Sequence, residues 1–255
     1  MKKFLREILQ SNFVIKLRNS FGYKVIKVNL KNLEKNFSIS DSFLWRTDNK
    51  FKTVINYTDI LKKFFDLNNS KIYLYIYNNN GKLLKIIENR NPIYLNKFTI
   101  DKKLLNNYQG YGTFFIFHKN KSYINTSIRN SCYTGFSKDN NLPSFVHGNL
   151  MGAGSAIENN NDLKIGIVET SMFKNKIYKI QKSFLNYDYV ELFITNPTRE
   201  IVHFEINKQK YKLKIGECVI ISFNKIETLS IKSNCFMLRP VAFVYRNKYM
   251  DVFHC

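Results

Sequence analysis

Lys71-Ile72-Tyr73-Leu74-Tyr75-Ile76-Tyr77-Asn78-Asn79-Asn80-Gly81-Lys82-Leu83-Leu84-Lys85-Ile86-Ile87 is the stretch that decides the fold class. Ile72, Leu74 and Ile76 alternate with Tyr73, Tyr75 and Tyr77, which is the two-residue period of a strand. Asn78-Asn79-Asn80-Gly81 then supplies residues that tolerate positive φ, as a tight reversal requires, and Lys82 to Ile87 runs back. A β-hairpin is predicted. The pattern returns downstream: Val190, Leu192 and Ile194 alternate, Asn196-Pro197-Thr198 turns, and Val202, Phe204 and Ile206 alternate with His203, Glu205 and Asn207. Tyr211, Leu213 and Ile215 then alternate with Lys210, Lys212 and Lys214, giving one apolar and one ammonium-covered face. One-sided strands of this kind belong to antiparallel sheets with a face in water.

The two regions also end alike. Thr113 to His118 precedes Lys119-Asn120-Lys121, and Val241 to Tyr245 precedes Arg246-Asn247-Lys248. The expectation is an all-β, mainly antiparallel chain of two similar β-sandwich or jelly-roll-like units, as an internal duplication would produce. The expected boundaries are a basic arm at 1–39, a first unit at 40–128, a connecting segment at 129–169 and a second unit at 170–255. Two short helices are expected besides. One lies at 2–10 with Phe4, Leu5, Ile8 and Leu9 on one face. The other lies near 58–66, capped by Thr58 or Asp59, with Ile60, Leu61, Phe64 and Phe65 sharing a face.

Composition agrees with sheet. Of 255 residues only Ala153, Ala156 and Ala242 are alanine, while β-branched and aromatic residues abound. The net charge of +21 invites a phosphate-rich partner. Only eight of the 40 basic residues are arginine, however, and the lysines are spread among Asn, Ile, Tyr and Phe as an AT-rich coding sequence would spread them. A dedicated nucleic-acid surface is therefore the lesser expectation. Residues 1–36 hold nine basic side chains against Glu7 and Glu34. That arm reads either as a peripheral contact with an anionic membrane or as a helix capping the first sheet. Cys132, Cys218, Cys235 and Cys255 form no CxxC pair, so no zinc ribbon or thioredoxin-like motif is present. With no secretory leader or membrane span legible, a reducing cytoplasm is the expected compartment.

Gly148-Asn149-Leu150-Met151-Gly152-Ala153-Gly154-Ser155 lacks the lysine of a phosphate loop, and no cofactor or metal is expected. The unusual composition is at 129–169, which holds five of the ten glycines. There Tyr133 and Phe136 interleave with the planar hydrogen-bonding groups of Arg129, His147 and Asn149. An aromatic platform beside fixed donors and acceptors suits a sugar, and these five residues are the candidate ligand site. Trp45, beside Arg46, reads first as a core anchor and second as another platform. The expected function is a non-enzymatic binding or assembly protein recognising a carbohydrate or surface-polysaccharide precursor near 129–149. One alternative is an enzyme on such a substrate, metal-assisted or not, using His147, Asp251, His254 or Cys255. The other is nucleic-acid or anionic-membrane association through the basic surface. Exposed strand edges leave homo-oligomerisation open.

Overall fold

The computed structural model describes residues 36–130, 132–139, 141–148, 151–158, 163–168, 170, 178–235, 238–247 and 249–255, with a few positions between 8 and 17. The arm at 1–39 and its helix at 2–10 lie largely outside the described residues. In chain order the elements are β1 (Phe37–Asp41), β2 (Phe43–Arg46), β3 (Phe51–Tyr57), helix α1 (Ile60–Phe65), β4 (Lys71–Asn78), β5 (Leu83–Asn89), β6 (Asn96–Ile100), β7 (Tyr111–Lys119), β8 (Ile128–Asn130), β9 (Cys132–Lys138) and β10 (Ser144–His147). They continue with β11 (Met151–Ala156), β12 (Lys164–Ile165), β13 (Tyr178–Ser183), β14 (Tyr189–Thr195), β15 (Val202–Ile206), β16 (Gln209–Leu213), β17 (Cys218–Asn224), β18 (Thr228–Ser233), β19 (Val241–Arg246) and β20 (Tyr249–His254).

The chain is all-β, and its two halves wind alike. Sheet β2-β7-β4-β5 faces sheet β10-β9-β3-β6 across a core that includes Phe43, Trp45, Ile55, Ile72, Leu74, Ile76, Phe114 and Ile116. Sheet β13-β18-β15-β16 faces β17-β14-β19-β20 across Val190, Leu192, Ile194, Phe204, Ile206, Ile231 and Val244. With β8 set aside, the eight strands of each sandwich follow one order, 1-6-3-4 over 8-7-2-5, with every pair antiparallel. Trp45 is fully buried and donates its indole N–H to the Tyr77 carbonyl at 2.8 Å, so it is a core anchor.

Two local expectations change. The run 190–206 is not a hairpin, because β14 and β15 belong to opposite sheets. Asn196 makes the crossing: its amide donates to the carbonyls of Glu200 and Leu213 while its oxygen accepts from Thr198. The hairpin partner of β15 is β16, reached through Asn207-Lys208, both at positive φ (46° and 73°), as a two-residue turn requires. Likewise the counterpart of β7 is β18 and that of β19 is β9. β7 and β19 read alike because both are central strands buried on two faces, which yields continuous apolar runs whatever their place in the order.

A third layer explains why Tyr75 and Tyr77 of β4 do not meet water. Sheet β12-β11-β1-β8 covers Tyr75, Tyr77, Phe115 and Phe117 through Ala153 and Ile165. Where the pairing of β2 with β7 ends, Ser40 and Ser38 of β1 accept from the N–H groups of Ile116 and His118, and Asn130 donates to the Ile116 carbonyl. The exposed side of β7 is thus satisfied by side chains.

The two sandwiches share a core. The face of β14 and β19 turned away from the second sandwich places Phe193, Val241 and Phe243 against Leu44, Phe51, Phe136 and Val146 of the first. Arg46, 1% exposed, lies among them between the rings of Phe51 and Phe243, 4.1 and 4.8 Å from their centroids. Its guanidinium binds Glu191 of β14 at 2.7 Å and Asp48 at 2.8 Å. Burial alone would raise the Glu191 carboxyl, but hydrogen bonds from Arg46 and Tyr245 hold it below its ordinary value. A buried charge deprived of its partner is expensive, so Arg46→Ala should cost about 3–5 kcal/mol. The double variant Arg46→Met, Glu191→Leu should recover most of that loss, as urea denaturation would show; equal losses in both variants would contradict the ion-pair account.

Candidate functional site

Strand alternation builds the candidate surface. Cys132, Thr134 and Phe136 of β9 and Val146 of β10 point inward, so Tyr133, Gly135, Phe145 and His147 share the outer face. Register aligns them in two rows across the sheet. The first is His147, Tyr133, Asn56 and Lys97, and the second is Phe145, Gly135, Val54 and Thr99. Tyr133 is 61% and Phe145 42% exposed. Gly135 is needed here because a Cβ would come within 2.6 Å of the Phe145 ring, which lies across it. Four strands at about 4.8 Å spacing make each row roughly 14 Å long. The result is an open platform of two aromatic rings and an imidazole, flanked by an amide and an ammonium group.

Phe136 is not on this platform. It is fully buried at the junction, 4.8 Å from the Phe243 ring. Arg129 is half exposed but committed to Asp41 by a two-pronged ion pair, both N–O distances 2.8 Å. Asn149 lies outside the described residues. The sequence reading missed Asn56 and Lys97, although the inward period of Phe51, Thr53, Ile55 and Tyr57 places Lys52, Val54 and Asn56 on the opposite face.

Beside the platform the edge strands of the two sandwiches meet. Ser144 of β10 donates to Asp251 of β20 at 2.6 Å and accepts from the Val252 N–H. The rings of His147 and His254 lie 4.8 Å apart, and His254 Nε2 donates to the His147 carbonyl at 2.9 Å. Gly148 follows for steric reasons, since any Cβ there would strike Asp41 and Phe43. Burial raises the Asp41 carboxyl, opposed by Arg129. No hydrogen bond joins Asp251 to either imidazole among the described residues, nor does any group of three His, Cys, Asp or Glu suit a metal there. The Cys255 thiol is pushed up to about 11 by burial and is a poor nucleophile at neutral pH.

These features define a tandem antiparallel β-sandwich protein with an open aromatic sheet face beside the junction of its two units. No protein-family model, curated protein or solved structure matches the chain.

His254 ties the junction to pH. Burial, followed by the charge of Arg239, lowers it to about 4, so the folded chain takes up this proton less readily than the unfolded one. The associated stability is complete above pH ~6.5 and is lost as pH falls toward ~4. Burial lowers His118 as well, so the native slope has two sources. His254→Gln keeps a donor for the His147 carbonyl but cannot titrate. Melting temperatures between pH 7 and 4.5 should fall less steeply in this variant than in the native chain; parallel slopes would show that His254 is not a source.

Proposed function

We propose that the chain is a non-enzymatic binding protein that holds a carbohydrate against the outer face of sheet β10-β9-β3-β6. The observation that carries this reading is the row of exposed His147 and Tyr133 and half-buried Asn56, with Phe145 laid over Gly135 next to it. Flat rings offer the apolar face of a sugar a stacking surface, while imidazole and amide groups exchange hydrogen bonds with its hydroxyls. A row about 14 Å long fits several sugar units better than one small molecule, which supports an oligosaccharide or polysaccharide segment as ligand. No helix among the described residues is long and apolar enough to cross a membrane. All four cysteines are free thiols, three of them buried, which supports a reducing compartment such as the cytoplasm and therefore a glycan precursor as ligand.

The test is affinity electrophoresis against a panel of soluble polysaccharides, followed by calorimetry on whichever binds. Tyr133→Ala and Phe145→Ala should each weaken binding on the order of tenfold, about 1.4 kcal/mol, without lowering the melting temperature, since both side chains are exposed. Affinity should change little between low and physiological salt. A steep fall with salt, or retention by single-stranded nucleic acid in place of glycan, would replace this reading with phosphate recognition by the basic surface.

A further inference from the structure

At the end of the first sandwich remote from the junction, the chain exposes apolar side chains on purpose-built supports. β3 runs from Phe51, packed at the junction, to Tyr57, whose register partner is Asn96 at the start of β6. Seven residues at ~3.3 Å each put this pole about 20 Å from the shared core. The loop entering β6 carries Ile93, Tyr94 and Leu95, exposed by 65%, 70% and 64%. Beside it, α1 exposes Phe64 by 67% and Phe65 by 37%, and buries only Leu61. The small helix expected near 58–66 is present, and of the four apolar residues expected to share its face only Leu61 is buried. The six-residue helix ends at Asp66 in a left-handed conformation, so Phe64 and Phe65 lie in its last turn.

One ammonium group links the two segments: Lys63 Nζ sits 5.4 Å from the Phe64 ring centroid and 5.2 Å from that of Tyr94. Five side chains of this size, exposed to this degree, present on the order of 500 Å² of apolar surface, as much as the largest patch on a typical monomer.

The loop is held in this shape. Asn96, itself buried, accepts from the Ile93 N–H at 3.0 Å and donates to the Ile93 carbonyl at 2.6 Å. Asn89 donates to Asn96 Oδ1 and to the Tyr57 hydroxyl, and accepts from the Asn91 N–H. Polar side chains are thus spent inside the turn so that apolar ones face outward, the reverse of what stability alone selects. The rim is basic. Arg90 and Lys62 are paired with Glu88 and Asp66, while Lys63 and Lys97 have no carboxylate partner among the described residues.

We propose that this pole docks the protein onto an anionic lipid bilayer, with Ile93, Tyr94 and Leu95 entering the interface and Lys63 and Lys97 meeting lipid phosphates. Three successive side chains that are each about two-thirds exposed suit insertion into a deformable surface. Tyrosine belongs at the water–lipid boundary, and a lysine lying along aromatic rings can keep its ammonium at headgroup level. The net charge of +21 draws the whole chain toward the same surface.

The experiment is co-sedimentation of the full chain with vesicles of phosphatidylcholine containing about 30 mol% phosphatidylserine, and with pure phosphatidylcholine, at physiological salt. The native chain should partition onto the anionic vesicles. The triple variant Ile93→Ser, Tyr94→Ser, Leu95→Ser should bind them at least tenfold more weakly, with an unchanged melting temperature. Lys63→Gln with Lys97→Gln should weaken binding to anionic vesicles by several-fold. Equal binding by the native and triple-variant chains would overturn the proposal, because the basic arm or the net charge would then suffice. So would failure of the native chain to bind at all. Self-association that the triple variant abolishes, in a native chain indifferent to vesicles, would likewise overturn it and assign the tip to a second copy of the chain.

Discussion

The arrangement of the two sandwiches rests on one buried cation. A guanidinium that is 1% exposed needs acceptors for its donors in an apolar junction: Asp48 of its own unit accepts from Nε and Nη2, and Glu191 on β14 of the second unit accepts from Nη1. Hydrophobic contact among Phe51, Phe136, Phe193 and Phe243 brings the sheets together but tolerates sliding. The ion pair, flanked by Asp48 and the Tyr245 hydroxyl, does not. With that orientation set, edge strands β10 and β20 lie side by side, Ser144 reaches Asp251, and His147 meets His254. The corner beside the aromatic platform is therefore a consequence of the junction, and it would not survive independent motion of the two units.

Period-two patterning made the strand content readable, because Ile72, Leu74 and Ile76 obey the same rule in the sequence as in the core. What it could not supply was the assignment of strands to sheets. Val190 to Ile194 and Val202 to Ile206 look like two arms of a hairpin, and nothing in their alternation says that Asn196 turns the chain across the sandwich. Asn207-Lys208 was less conspicuous than Asn-Pro because lysine rarely marks a left-handed turn. The second burial of Tyr75 and Tyr77 was hidden for a related reason. Tyrosine is compatible with solvent or with a covered face, and only the third sheet decides between them.

The site was legible in composition and blurred in direction. Tyr133 and His147 were found because aromatic and planar polar residues cluster around glycines, and they are cross-strand partners. Phe136 satisfied the same criterion yet faces the opposite way, since three residues along a strand reverse the face. Arg129 was misread for an energetic reason: its donors already serve Asp41, a carboxylate too buried to be left alone. Asn56 went unnoticed because it comes from β3, nearly eighty residues earlier in the chain, and only strand pairing brings it beside Tyr133.

Glycine and asparagine do opposite work at the two exposed apolar surfaces. At the platform Gly135 removes a side chain so that Phe145 can lie flat on the sheet, exposing one ring face at low entropic cost. At the far pole Asn96 and Asn89 add polar side chains inside a turn so that Ile93, Tyr94 and Leu95 cannot fold inward. A chain drifting toward Asn, Lys, Ile and Tyr through codon bias would scatter such residues without regard to geometry. Here the oxygen and the amide of Asn96 close hydrogen bonds on the two ends of a single residue, Ile93, and the apolar residues that follow are exposed together. These hydrogen bonds, and not the abundance of the residue types, fix where Ile93, Tyr94 and Leu95 stand.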